Sequence, residues 1–245
     1  MNLLRAILLL IVFITPIKAN TIYDIIKIPN LEIYEINTKN KLKYFYAASP
    51  FRLGTKKNIV CSNPKKKDLE KKYKIIYKNL SKYSKNYLKK INLKYIVMCE
   101  NLSISELYTA GIPDNIMKTL ILDIKFNEDY FERVIHHEVF HIINLQYKEI
   151  FNDEEWIKFN NSKFKYAECS TCTKKIRLDT YDNTKGFFTE YSMSTAQEDM
   201  AEVYSHMIFL NKEKINQIRK LDPILNNKIS YIENMIKKID NSFTF

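Results

Sequence analysis

Three of the four histidines in this chain fall within His136-His137-Glu138-Val139-Phe140-His141. His137 and His141 are four residues apart. On a helix that spacing puts them on one face, with Cβ atoms about 5–6 Å apart. Two imidazoles so placed can both reach one zinc ion at about 2.0–2.1 Å. Glu138 follows the first histidine directly, so it points near the metal without ligating it and can take a proton from a metal-activated water. His136 lies about 100° away around the helix and reads as a core or surface histidine. The alternative for the whole stretch is a packed helix whose histidines are held by hydrogen bonds.

A third ligand is expected downstream, in the segment 191–207. Glu198 and Glu202 are again four apart. One carboxylate can complete a metal site while the one on the next turn holds a ligand histidine through its second ring nitrogen. Asp199 is about 100° off Glu198 and is less well aimed. His206 is a rival ligand or an outer group. Without the upstream motif this stretch would read as an ordinary charged helix face.

His137-Glu138-x-x-His141, followed by Tyr191-x6-Glu198-x-x-Ala201-Glu202, resembles the gluzincin metallopeptidases. It is most similar to the branch containing anthrax lethal factor and the Pro-Pro endopeptidases. The resemblance covers roughly residues 92–211, with firm motif content only in 137–141 and 191–202. It implies a zincin-like fold and a secreted endopeptidase. His137, His141 and Glu198 would hold one zinc ion per chain, Glu138 would act as general base, and Tyr191 would hydrogen-bond the developing oxyanion. It also implies a substrate laid along an edge strand near the metal, either 108–111 or 120–124. The 49 residues between the motifs exceed those of compact members and hold Cys169 and Cys172, an insertion near the cleft.

These residues need elements to position them. Apolar residues at Phe131, Val134, Ile135, Val139, Ile142 and Ile143 recur at helical spacing, with Asn127 or Asp129 as N-cap. A second amphipathic helix is expected from about Ala196 to Leu210, and a helix or helix pair over 212–240. Upstream, "TIYDIIKI", "LEIYEI" and "KLKYFYAA" read as short strands. A lysine-rich helix over 64–90 follows, capped by Asn63-Pro64, with the apolar stripe Leu69, Tyr73, Ile76, Leu80, Tyr83, Tyr87 and Ile91. "LKYIVMC", "ISELYTAG" and "MKTLILDIKF" are strand-like, the last two separated by a turn at Gly111-Ile112-Pro113-Asp114. Residues 148–195 read as irregular, with a short helical piece at "DEEWIKF". The class is α+β: a small N-terminal mixed sheet and helix packed on the motif helix, then a helical C-terminal subdomain. Residues 20–63 read as a strand-rich region that forms one compact domain with 64–245.

The N-terminus reads as an export signal over residues 1–19. An apolar run from Ala6 to Ile14 follows Arg5 and ends in a break before Ala19. Such a run is too short for the ~20 residues a bilayer core needs. A soluble exported protein, periplasmic or extracellular, is expected, and it is expected to be a monomer. The formal charge is +11. The excess comes from 34 lysines against 5 arginines, many on the 64–90 helix. That favours a solvated face over a nucleic-acid reader, and leaves a weak attraction to acidic surfaces open. An even cysteine count in an exported chain suggests disulfides. Of three connectivities, Cys61–Cys99 with Cys169–Cys172 is preferred. A Cys-x-x-Cys redox pair and a second zinc site are the rivals. The leading function is hydrolysis of peptide or protein substrates. A non-proteolytic exported zinc-binding protein on the same scaffold is the runner-up, and an adhesion or structural protein with a chance motif is a third class.

Overall fold

The computed structural model describes residues 28–54, 56–180 and 184–245. The expected signal at 1–19 and most of the strand expected over "TIYDIIKI" lie outside them.

A single long strand organises the sheet. β5 (Tyr95–Ile104) pairs through its first half in parallel with β2 (Lys43–Ala47) and β8 (Thr119–Asp123). Through its second half it pairs antiparallel with β4 (Ile59–Ser62) and β6 (Leu107–Tyr108). β1 (Leu31–Glu35) and β3 (Phe51–Leu53) extend the two halves beside β2 and β4. The changeover falls at Asn101, which adopts φ +56°, a left-handed conformation that asparagine tolerates better than most residues. The Asp123 carboxylate secures this point by accepting from the backbone N–H groups of Asn101 and Leu102, each at 3.1 Å.

Side-chain alternation then divides the core. Ile96, Met98, Leu120 and Leu122 face the helices, while Val97, Cys99 and Ile121 face a second cluster with Ala47, Phe51, Leu53 and Leu102. Both faces of β5 and β8 are covered, so their sequences are nearly continuous apolar runs. Cys61 on β4 and Cys99 on β5 form a disulfide with Cα atoms 5.9 Å apart. Cys169 and Cys172 form the other, at 5.1 Å.

Three expectations need correction. Gly111–Asp114, expected as a turn, forms β7, which pairs antiparallel with β8 and ends that side of the sheet. The reversal comes later, at 115–118, where the Asp114 carboxylate accepts from Met117 N at 2.8 Å and Lys118 takes φ +55°. The lysine-rich segment is two helices, α1 (Lys66–Leu80) and α2 (Lys85–Lys90). Ser84 interrupts it by accepting from Tyr87 N at 3.1 Å, a capping bond that competes with continuation. Asn63-Pro64 does not cap α1. Lys65 holds that position without a side-chain bond, and the Glu100 carboxylate accepts from its N–H at 3.0 Å.

The motif helix is α3 (Glu128–Gln146), capped by Asn127, whose side chain accepts from Asp129 N. α4 (Asp153–Ile157) buries Trp156. α5 (Ala196–Phe209) lies against α3, with Met200, Ala201, Val203 and Tyr204 buried. α6 (Lys212–Leu221) and α7 (Pro223–Ile239) complete the helical side, α7 packing on α5. The mixed sheet backed by helices is an α+β architecture. No helix of the described residues is long and apolar enough to cross a membrane.

Candidate metal centre

α3 and α5 cross so that His137, His141 and Glu198 converge. His137 Nε2 lies 3.0 Å from Glu198 Oε2 and 3.1 Å from His141 Nε2, and His141 Nε2 lies 3.2 Å from Glu198 Oε2. Four ligands at 2.0–2.1 Å around one tetrahedral ion sit about 3.3 Å from each other. The observed triangle is slightly smaller than that, and its donor set of two imidazoles and a carboxylate is one that zinc accepts. Among the described residues this is the group of three whose ligand atoms lie within 4.8 Å of one another. Thr195 caps α5 by accepting from Glu198 N at 3.2 Å, which fixes Glu198 in the first turn.

The second carboxylate lies behind the first imidazole. His137 Nδ1–H donates to Glu202 Oε1 at 2.8 Å, leaving the Nε2 lone pair for a metal. Glu202 is fully buried and needs further partners. Thr189 Oγ1 donates to its Oε2 at 2.9 Å, and Arg133 forms a close ion pair with the same oxygen. Arg133 also donates to the Leu178 carbonyl at 2.7 Å, tying the long loop to the centre. Burial would raise the Glu202 pKa, but Arg133 and His137 hold it down, to about 2. The reading of the sequence missed Arg133, although its place four residues before His137 puts it on the same helix face.

Glu138 leaves α3 toward the sheet. Its pKa is pushed up by burial. A Cβ placed on Gly111 would lie 2.7 Å from Glu138 Cγ and 2.9 Å from Cδ. The outer strand β7 can approach this carboxylate only because residue 111 has no side chain. Tyr191 opens a short 3-10 turn, Tyr191–Met193, with its ring centroid 6.0 Å from that of His137. Its phenol is pushed up by burial and by the charges of Glu198 and Glu138, while a hydrogen bond with Ser170 acts the other way. Ser170 sits inside the Cys169–Cys172 loop, so that loop borders the centre.

The other histidines are elsewhere. His136 points into the core, between the Tyr83 hydroxyl at 2.7 Å and Asn79 Oδ1 at 3.1 Å. Burial pulls its pKa down to about 3, so it is neutral. His206 Nδ1–H donates to the Glu202 carbonyl at 2.7 Å, and its ring stacks on Phe188. It is an outer group and not part of the triangle. Asp199 turns away from the centre into a buried set: Lys228 Nζ at 2.6 Å, Tyr166 hydroxyl at 2.6 Å and Trp156 Nε1 at 2.9 Å.

The model of a family described as "Putative zinc-binding metallo-peptidase" matches residues 77–240. The chain is similar to a solved structure from Bacteroides caccae, itself described as a putative zinc-binding metallo-peptidase. The two share 17% identity over 70% of this chain and 69% of that one, with a TM-score of 0.44. No curated protein matches the chain.

Proposed function

The chain belongs to the family whose model it matches, and from that premise we propose that it is a zinc-dependent endopeptidase in which His137, His141 and Glu198 hold the metal. The observation that carries this is the 3.0–3.2 Å triangle of donor atoms, with a buried carboxylate behind His137 and a second, non-ligating carboxylate beside it. Zinc, when bound, supplies the acidified water and polarises the peptide carbonyl.

The chain's own residues do the rest. Glu138 accepts the proton from the attacking water, a role that suits a carboxylate whose pKa burial has raised. It then returns that proton to the leaving amine. Tyr191 keeps its phenolic proton and donates a hydrogen bond to the oxyanion as it develops. Glu202, steadied by Arg133 and Thr189, holds the His137 ring in the tautomer a metal requires. The expected edge 120–124 falls on β8, which is paired on both sides, and the expected edge 108–111 reaches only Gly111 of β7, so we place the substrate edge instead on β7 itself (Gly111–Asp114). A substrate strand would add to β7 beside Glu138. The spacing of Tyr191, Glu198 and Glu202 supports placing the site in the gluzincin group near the lethal factor branch. The N-terminal residues support action outside the cytoplasm.

The test is Glu138→Ala in zinc-loaded protein, assayed with a peptide library. The variant should retain about one zinc per chain and lose cleavage. Cleavage retained by the variant would remove Glu138 from the mechanism. A wild-type protein that binds zinc but cleaves nothing would favour a zinc-binding module on the same scaffold.

A further inference from the structure

A cleft of about 450 Å³ opens directly against Glu198, within the range of sites that enclose small ligands. Its walls come from α4, the N-terminal turn of α5 and the loop before Cys169. We propose that this cleft is a subsite for a basic side chain, lysine or arginine, of the substrate residue flanking the cleaved bond. The proposal rests on the reading of the centre as a peptidase and adds to it the class of peptide preferred.

Charge is the first argument. The chain carries 34 lysines and 5 arginines, yet neither lines this cleft, whereas Asp153 and Glu168 do. Neither carboxylate has a salt-bridge partner among the described residues. The Gln197 amide donates to Asp153 Oδ2 at 3.4 Å, which keeps that carboxylate beside the opening without neutralising it. The positive end of α5 also faces this space. Thr195 caps it, and Glu198 in its first turn opposes it.

Shape is the second, independent argument. Lysine and arginine carry an apolar stem below the charge, and the cleft offers a matching wall. Ile157 is 46% exposed although its neighbour Trp156 is fully buried, leaving an aliphatic surface uncovered inside the cleft. Tyr166 provides an aromatic wall that cannot swing away. Its hydroxyl donates to Asp199 at 2.6 Å and accepts from Asn160 Nδ2 at 2.8 Å. A site whose walls are already fixed loses little entropy on filling.

The experiment uses full-length, zinc-loaded Glu138→Ala protein, so that binding is read without turnover. Alanine-based hexapeptides carry a single arginine, lysine, norleucine or glutamate, scanned through each position, and affinities are measured by calorimetry. Arginine and lysine peptides should bind about tenfold or more tightly than norleucine at one position. Adding Asp153→Asn and Glu168→Gln should abolish that advantage while leaving norleucine affinity within about twofold. Equal affinity for arginine and norleucine, or a preference for glutamate, would overturn the proposal. So would an arginine advantage that survives both substitutions. Failure of the peptidase reading looks different: wild-type, zinc-loaded protein would bind the basic peptides selectively and cut none of them.

Discussion

His137 is pulled in two directions. Burial disfavours its charged form, but hydrogen bonds and charges from Glu198 and Glu202 prevail and push its pKa up to about 10. Its folded value therefore lies above the unfolded value near 6.5. The protonated imidazole contributes stability that is complete below about pH 6.5 and is lost as pH rises through about 10. In metal-free protein that loss should be of order 1 kcal/mol per pH unit. In the proposed site zinc takes the place of the Nε2 proton, so the zinc-loaded protein should not show this slope. Urea unfolding at pH 7 and pH 9, with and without zinc, measures the difference. Equal slopes in both forms would mean that His137 is not where metal and proton compete. Tyr191 makes a second prediction at this scale. Tyr191→Phe should bind zinc normally and lose roughly 10²–10³-fold in kcat, the usual cost of removing one oxyanion donor. An unchanged kcat would place the phenol outside the reaction.

Between β7 and α3 the decisive feature is a missing side chain. Gly111 is not needed for a positive φ. It is needed because a Cβ there would also come within 3.2 Å of the Ile121 carbonyl, in addition to meeting Glu138. Gly111→Ala must therefore push the strand from the helix or displace Glu138. The expected result is intact zinc binding, a stability loss of about 1–3 kcal/mol from overpacking, and a fall in kcat/KM of about tenfold or more. Wild-type kinetics in Gly111→Ala would show that the approach of β7 to Glu138 plays no part in catalysis. The same strand shows a limit of local sequence reading. Gly-Ile-Pro-Asp has the composition of a turn, and only pairing with β8 makes it a strand. Pro113 is tolerated there because β7 lies at an edge of the sheet.

Across the whole molecule, two cross-links act on very different lengths of chain. Cys61–Cys99 closes a separation of 38 residues and Cys169–Cys172 one of 3. Loop-closure entropy assigns about 4 kcal/mol to the first and about 2 to the second. Replacing Cys61 and Cys99 by alanine should therefore lower unfolding stability more than replacing Cys169 and Cys172. The reverse order in denaturant titrations would show that strain or residual unfolded structure outweighs loop length. Much of the molecule was legible from local pattern. The 3.6-residue period marked the start of the His137 helix, and both ends of the Glu198 helix, to within a residue or two, because each buries one face along its length. The alternation and apolar runs of β2, β5 and β8 marked the sheet for the same reason. What local pattern could not supply was partner choice across long separations. Arg133 on Glu202, Asp199 turned to Lys228, Gly111 against Glu138 and Ser170 beside Tyr191 join residues whose types have many ordinary uses, and only packing selects among them. The sequence by itself determined the spacing of the candidate metal ligands and the helices that carry them, since both are set within a few turns of chain. Only the tertiary structure decided which strand meets the centre and which residues buttress it, since those contacts exist only once distant segments are buried together.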